Sequence, residues 1–498
     1  MTVVLDNFFK PRSVAVIGAS RNPAKVGHVI LKNLIDGGFR GRVFPVNPEA
    51  SSILGYRAYD SVSKINEIVD LAVIAVPSKL VLKVVSECAK KKILDILIIT
   101  SGFSETGNVK LENQLKELLD KNKMRCICVN CLGIFDAYHK FDTLFLPRYR
   151  LSRPKPGGIS FICQSGAIGS AILDIAAASG HTFSKFVSYG NATQIDESDL
   201  LEYLHNDSTT KVICLYVEGI KNGEKFYETL KRVAAVKPVI VLKGGLTTAG
   251  QHATLSHTGS LAGDKAVFYG VLAQTGVIRA DSLEEMFHVA ALVEKGVHFS
   301  SNRIQIITNG GGYGIISTDG ISSSKHLKMA ELSPQTVADV KKFSPPAMNV
   351  GNPLDLLGDA TTERYRLALD SCLNDKNIDG VLLIVLYQTP LITTEIVEVI
   401  SEAHRKFTKP IVVVSTGGEF TELLSRSLME RGLPVFYFPT EAITALDKVV
   451  EYQLRAGVKH KSSEPEKIME KIVVKKKERV VVKRAKKHKK TPGKKRRR

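Results

Sequence analysis

Ser13–Ile30 reads S-V-A-V-I-G-A-S-R-N-P-A-K-V-G-H-V-I, and its order of residue types decides the fold. A short run of small and β-branched apolar residues reads as a strand buried on both faces. Gly18-Ala19-Ser20 ends the run. From Val26 the apolar residues recur at helical spacing through "GHVILKNLIDGG". A strand that turns on glycine into a helix leaves the first helical N–H groups unpaired, with the positive end of the helix dipole beside them. Such a turn suits an anion, phosphate above all. The turn is not G-x-G-x-x-G, because Ser20 stands where a second glycine would be.

The same rhythm continues outward. "RVFPVN", "LAVIAVP", "ILIIT" and "CICVN" are further strand candidates with helical stretches between them, which predicts a parallel, doubly wound sheet. "PRYRLSRPKPGG", Pro147–Gly158, is rich in proline and glycine and reads as a linker. Strands then restart with "GISFIC", "FSKFVS", "VICLYVE", "PVIVLK" and "GVIRA", followed by a long helix through "SLEEMFHVAALVEK". They restart again with "RIQIIT", "VLLIVLY", "PIVVVS" and "PVFYFP". The expected class is α/β. A Rossmann-like domain over 1–146 precedes two flavodoxin-like doubly wound domains over 155–297 and 298–457, and a basic tail over 461–498 is expected to be disordered.

Composition narrows the classes. Hydrophobic residues make up 44% of 498, enough for full cores, and the absence of Trp makes those cores aliphatic. Seven cysteines, an odd number lying mostly in apolar strands, point to reduced thiols in a cytoplasmic protein. Cys126-x-Cys128-x-x-Cys131 has no second Cys/His pair at zinc spacing, so no metal site is expected. Met1–Ser13 has no basic segment ahead of an apolar one, and no apolar run approaches the ~18 residues of a membrane span, so neither signal peptide nor membrane attachment is expected. The net charge of +19 is concentrated at one end. Lys461–Arg498 holds 18 Lys/Arg against four Asp/Glu, a net of +14. That low-complexity tail could serve a nucleic acid, an acidic partner, or solubility alone.

Three turns carry the candidate chemistry. At the first, Gly18, Ala19, Ser20, Lys25, Val26 and Gly27 form the anion turn. The next strand ends in Asn47-Pro48, without the ribose carboxylate of an NAD site. A nucleotide with extra phosphate, such as CoA, fits better than NAD. The other strand ends, Val76-Pro77-Ser78, Ser101-Gly102-Phe103 and Asn130-Cys131, converge on the same crevice. At the second turn, Gln164-Ser165-Gly166, Gln164 and Cys163 stand where a nucleophile elbow needs other residues, so a serine hydrolase is discounted. The third turn holds Gly311, Gly312 and Tyr313. Both later turns read as helix N-termini suited to a phosphoryl group, or as plain strand-to-helix turns. Glu218 closes the apolar run "VICLYVEG" and needs a partner. His257 in "ATLSHTGSLAGD" would be one, with Lys243 or a backbone N–H as the alternatives. Gly250, Gly259 and Gly263 give the stretch around His257 backbone freedom, which suits a histidine that visits two places.

"GASRNPAKVG", "VNP", "LAVIAVP", "TSGFSETG" and "NCLGI" resemble the CoA-binding domain of the NDP-forming acyl-CoA synthetases, in particular the α subunits of the archaeal ADP-forming type. "ISFICQSGAIGSAILD" and "TNGGGYGIIS" resemble the two phosphate-gripping helix openings of that family. "SHTGSLAG" is similar to its phosphohistidine loop, and "NPLDLLGDA" also fits. The resemblance runs in order from about residue 7 to about 455. It implies the reaction acyl-CoA + ADP + phosphate = acid + ATP + CoA, through an acyl phosphate. His257 would carry the phosphoryl group, and Glu218 would steady it. It also implies Mg-ADP/ATP on a separate ATP-grasp β subunit in an α2β2 assembly, with a small carboxylic acid as the other product. The chain departs from the family at Cys128-Val129, where Gly-Pro is usual, and at Gly-Gly-Gly-Tyr in the third turn, where Ala-Gly-Gly-Pro is common. A non-catalytic CoA-binding regulatory protein and an NAD(P)-linked reductase are the competing readings.

Overall fold

A computed structural model describes residues 5–251 and 263–456. His257 and the tail from 461 to 498 lie outside the described residues.

The first sheet holds β1 (Ser13–Ile17) and β2 (Arg42–Val46). A two-stranded hairpin, β3 (Ser52–Ile53) and β4 (Tyr56–Arg57), follows in sequence. The sheet is completed by β5 (Leu71–Ile74), β6 (Asp95–Ile98) and β7 (Arg125–Cys128), all parallel, in the spatial order β2-β1-β5-β6-β7. The second sheet contains β8 (Ile134–Asp136), β9 (Phe141–Asp142), β10 (Lys155–Cys163), β11 (Thr182–Ser188), β12 (Val212–Val217), β13 (Val239–Lys243) and β14 (Ile278–Arg279). Its parallel part runs β14-β13-β12-β10-β11, and β8 joins antiparallel to β11 at the edge. The third is built from β15 (Arg303–Thr308), β16 (Lys328–Met329), β17 (Leu354–Asp355), β18 (Gly380–Ile384), β19 (Ile411–Val414) and β20 (Val435–Phe436). Its main path is β16-β15-β18-β19-β20.

With the parallel strands of each sheet counted in chain order along that main path, all three sheets have the order 2-1-3-4-5. The order reverses beside the first strand each time: at β1/β5, β10/β12 and β15/β18. Ligand crevices in doubly wound sheets open at that reversal, beyond the strands' carboxyl ends. The three Gly-rich turns follow β1, β10 and β15, so all three sit at reversals.

The sheets share cores. One apolar cluster joins Val14, Val16 and Val73 of the first sheet to Ile162, Val187 and Leu215 of the second. Another joins Phe161 and Phe186 of the second to Ile304, Ile306, Leu382 and Val412 of the third. Each fully buried aromatic or branched side chain contributes on the order of 1.5–3 kcal/mol of transfer free energy.

The strands read from sequence are all present. The short strands β3, β4, β8, β9, β16 and β17 are new, because two or three residues carry no measurable periodicity; β14 and β20, equally short, lie within apolar runs already read as strands. β8 and β9 fall before residue 146 yet pair in the second sheet. The proline-rich stretch expected as a linker is pinned at both ends. Arg153 is buried and donates from Nε to Asp142 Oδ2 at 2.9 Å and from Nη2 to Leu146 O at 2.9 Å, and β10 already begins at Lys155. Burial pushes the Arg153 guanidinium down, and the adjacent Asp142 carboxylate opposes the shift.

Candidate functional site

The first turn is shaped by close approach. Gly18 adopts φ +94°, and a Cβ there would lie 2.3 Å from Ala75 O. A Cβ on Gly27 would lie 1.9 Å from Gly18 O. Only glycine at both positions lets the helix Val26–Asp36 start directly against the end of β1. That helix begins after Lys25 with no side-chain cap, so no capping side chain takes up the N–H groups of its first turn. Asn47 braces the turn, donating from Nδ2 to Ala19 O at 2.7 Å and accepting from Glu49 N at 2.7 Å. Ser20 Oγ accepts from Asn22 N at 3.1 Å. Asn47 and Ser20 therefore shape the backbone that faces the crevice.

The remaining strand ends differ in what they offer. Val76 O accepts from Thr100 Oγ1 at 2.7 Å, and Pro77 precedes an uncapped helix, Ser78–Lys90. Gly102 (φ +103°) and Phe103 both donate N–H to Glu105 Oε1, at 2.5 and 3.1 Å. The Phe103 ring is fully buried core. Asn130 takes φ +55° and donates to Asn191 Oδ1 at 3.3 Å. Cys131 is buried, its Sγ donates to Ile98 O at 3.1 Å, and burial pushes its thiol up, so it acts as packing.

A cleft of about 410 Å³ brings two of the first-domain strand ends together with the second turn, while the Gly18–Gly27 turn does not line it. Ser101, Asn130 and Cys131 line it from one side, and Gln164, Ser165 and Gly166 from the other. Ser165 caps the helix Gly166–Ala178, its Oγ accepting from Ile168 N at 3.4 Å. The third-domain helix, Gly311–Ser323, starts after Gly310 without a side-chain cap. Space beside Gly312 is open, whereas a Cβ on Gly311 would lie 3.0 Å from Asp355 Oδ2. Tyr313 and Ile168, one from the first turn of each helix, pack on the same apolar cluster.

Glu218 follows β12 and is buried, at 6% exposure. Its backbone N–H and that of Gly219 donate to Gln164 Oε1 at 2.6 and 3.1 Å, which ties it to the second turn. Tyr216 OH donates to Glu218 Oε1 at 3.2 Å. Glu218 Oε2 has no partner among the described residues. Lys243 lies beside it, as the sequence allowed, but its ammonium donates to the main-chain carbonyl of Glu218 at 2.7 Å and to that of Gly244. Burial lowers the Lys243 pKa to about 8, and the Glu218 charge opposes that shift.

Comparison with known proteins follows the same three-part division. Residues 12–137 match a CoA binding domain, 156–293 a succinyl-CoA ligase like flavodoxin domain, and 304–459 a ligase-CoA domain. The chain is 36% identical over 460 residues to the α subunit of acetate–CoA ligase [ADP-forming] II of Pyrococcus furiosus, covering 91% of this chain and 99% of that one. The chain belongs to the ADP-forming acetate–CoA ligase family. The Methanocaldococcus jannaschii member, named acetate–CoA ligase [ADP-forming], is 38% identical over 449 residues, and there the match covers 89% of this chain but only 62% of the relative. This chain thus spans a little under two thirds of that relative. Among solved structures, the dinucleotide forming acetyl-coenzyme A synthetase 1 of Ca. Korarchaeum cryptofilum, in complex with phosphate and ADP, superposes with a TM-score of 0.84 at 33% identity. That match covers 91% of this chain and 97% of the other.

For a member of this ligase family, several residues at the site escaped the sequence reading. Tyr216, Gly190 and Asn191 are the main ones. A Cβ on Gly190 (φ +58°) would lie 2.0 Å from Val129 O, so the second domain touches the first backbone to backbone there. The Gly-Asn pair after the strand "FSKFVS" was the available signal. Among the described residues, no cluster of three or more His, Cys, Asp or Glu could hold a metal ion, and no helix is long and apolar enough to cross a membrane.

Proposed function

We propose that this chain is the catalytic α subunit of an ADP-forming acyl-CoA synthetase, with acetyl-CoA as the default substrate. The observation that carries this is Glu218. A buried carboxylate with one oxygen held by Tyr216 and the other bare, fixed by Gln164 to the start of the Gly166–Ala178 helix, is built to accept a hydrogen bond from an incoming group. His257, in the stretch that resembles the family's phosphohistidine loop, would be the donor.

The first turn fits CoA. Gly18 and Gly27 clear the backbone approach that a pyrophosphate needs, and the uncapped Val26–Asp36 helix offers N–H groups to it. The acyl-thioester end would enter the cleft between Asn130 and Gly166. There a phosphate oxygen attacks the acyl carbon, the C–S bond breaks, and the thiolate leaves and takes a proton. The helix ends at Gly166 and Gly311 stabilise the charge that develops. The His257 nitrogen then attacks phosphorus, the bond to the acyl oxygen breaks, and the carboxylic acid leaves as its anion. Glu218 Oε2 would hold the other ring N–H and steady the phosphohistidine. ADP on an ATP-grasp β partner takes the phosphoryl group and regenerates the neutral imidazole.

The test is phosphoryl labelling. The 498-residue chain with an ATP-grasp partner and labelled ATP should acquire acid-labile, base-stable label, and His257→Ala should acquire none. Label that persists in His257→Ala overturns the assignment. CoA binding without acyl-CoA-dependent ATP formation would favour the regulatory reading. Removing residues 461–498 should abolish any salt-sensitive RNA binding and leave the labelling intact.

A further inference from the structure

Besides the shared apolar core, a set of hydrogen bonds joins the first two domains, and one side chain, that of Asn191, takes part in several of them. Asn191, on the turn after β11, places Nδ2 2.6 Å from Glu105 Oε2, 3.1 Å from Ser104 Oγ and 3.1 Å from Glu112 Oε2. An amide has two N–H donors, so the short contact to Glu105 is the principal one. Glu105 uses its other oxygen to hold the N–H groups of Gly102 and Phe103. Those residues form the part of the first-domain loop whose glycine takes φ +103°. The backbone of Asn191 is fixed from both sides. Its N–H donates to Val129 O at 3.2 Å, and its carbonyl accepts from Lys221 Nζ at 2.6 Å. Lys221 lies three residues beyond Glu218 on the same connection out of β12. Glu112, also buried here, is pushed up by burial, but hydrogen bonds from Ser104, Thr193 and Asn191 outweigh this and hold it below the usual range, so it stays a carboxylate.

We propose that Asn191 is a positioning residue: through Glu105 it sets the Ser101–Gly107 loop of the first domain in register with the Glu218 strand end of the second. The inference rests on the functional reading above, in which the loop borders the CoA site and Glu218 borders the phosphoryl site. The two must meet at the thioester, and misplacement of reacting groups by an ångström is costly in rate. Asn191 lines the cleft where they meet. Its amide reaches the loop through a charged acceptor, the stronger kind of hydrogen bond.

The experiment is calorimetric titration of the full chain with CoA, comparing wild type, Asn191→Ala, Glu105→Gln and the double variant. Glu105→Gln keeps the shape, but its amide must point a donor either at Asn191 or at the Gly102 and Phe103 N–H groups. Each single variant is expected to weaken CoA binding about ten-fold. The double variant should be no more than about two-fold worse than the weaker single, because both break one link. Amide exchange at Gly102 and Phe103 should quicken in each variant, while the first turn of the Gly166–Ala178 helix keeps its protection. Wild type that binds CoA while both singles bind within two-fold of it overturns this inference alone. Wild type that binds no CoA overturns the functional reading, and this inference with it. Should Asn191→Ala fail to fold, Glu105→Gln decides by the same readings.

Discussion

Glu218 and Glu197 are both buried carboxyl groups, and they call for opposite treatment. Glu218 is fixed on one oxygen and bare on the other, so the change that matters is at the bare oxygen. Glu218→Gln would set an amide donor where an acceptor is needed. Acyl-CoA-dependent ATP formation with the β partner should fall by about a hundred-fold or more, a scale typical of losing a proton-holding group. A loss under three-fold would remove Glu218 from the chemistry. Glu197, at the start of the helix Glu197–Asn206, has its pKa raised to about 7, chiefly by burial, with Asp196 adding to the shift and Lys225 opposing it. Between its ordinary value of 4.5 and about 7 the folded chain binds more protons than the unfolded one. Stability from this group is therefore full at low pH and is lost as pH rises through about 7. Glu197→Gln should abolish that loss. Melting temperatures followed from pH 5 to pH 8 should show the wild type declining relative to the variant, and parallel curves would contradict this.

At the scale of elements, the glycines of the two helix starts separate structure from binding. Gly27→Ala drives a methyl group into Gly18 O, so the Val26–Asp36 helix must shift. We expect a cost of about 2 kcal/mol or more by urea denaturation, together with weakened CoA binding. Gly312→Ala meets open space, and as a helical glycine it should be neutral or gain up to about 1 kcal/mol, so any loss of phosphate affinity there reports on the helix end itself. Much of this was legible in the sequence. The long apolar strands, the three Gly-rich turns and the Glu218 strand end were all readable, because period and turn chemistry are local signals. What escaped was non-local. β8 pairs with β11 some 50 residues on, and Asn191 meets Glu105 across 86 residues. No neighbouring residue announces either contact. The proline-rich 147–158 stretch misled because composition cannot show that Arg153 finds Asp142.

At the scale of the molecule, the cores tie the sheets in series: first to second through the cluster around Val16 and Ile162, second to third through that around Phe161 and Ile306. The Ser300–Asn302 connection between the second and third is short and mostly at the surface, next to Phe299, whose N–H is held by Gln453 Oε1 at 3.0 Å. Because every sheet has the same strand order and each reversal has its own turn, that connection can be severed without opening any sheet. Two polypeptides, 1–300 and 301–498, made together in one cell, should then find each other through the shared apolar face and copurify. Expressed singly, each should be insoluble or bind hydrophobic dye. Halves that are each soluble and do not associate would refute this. The cut at 300 leaves each product with whole sheets and their own Gly-rich turns, so a gene could be divided there or joined to another, whereas a cut ahead of β10 would part β8 and β9 from the sheet they belong to.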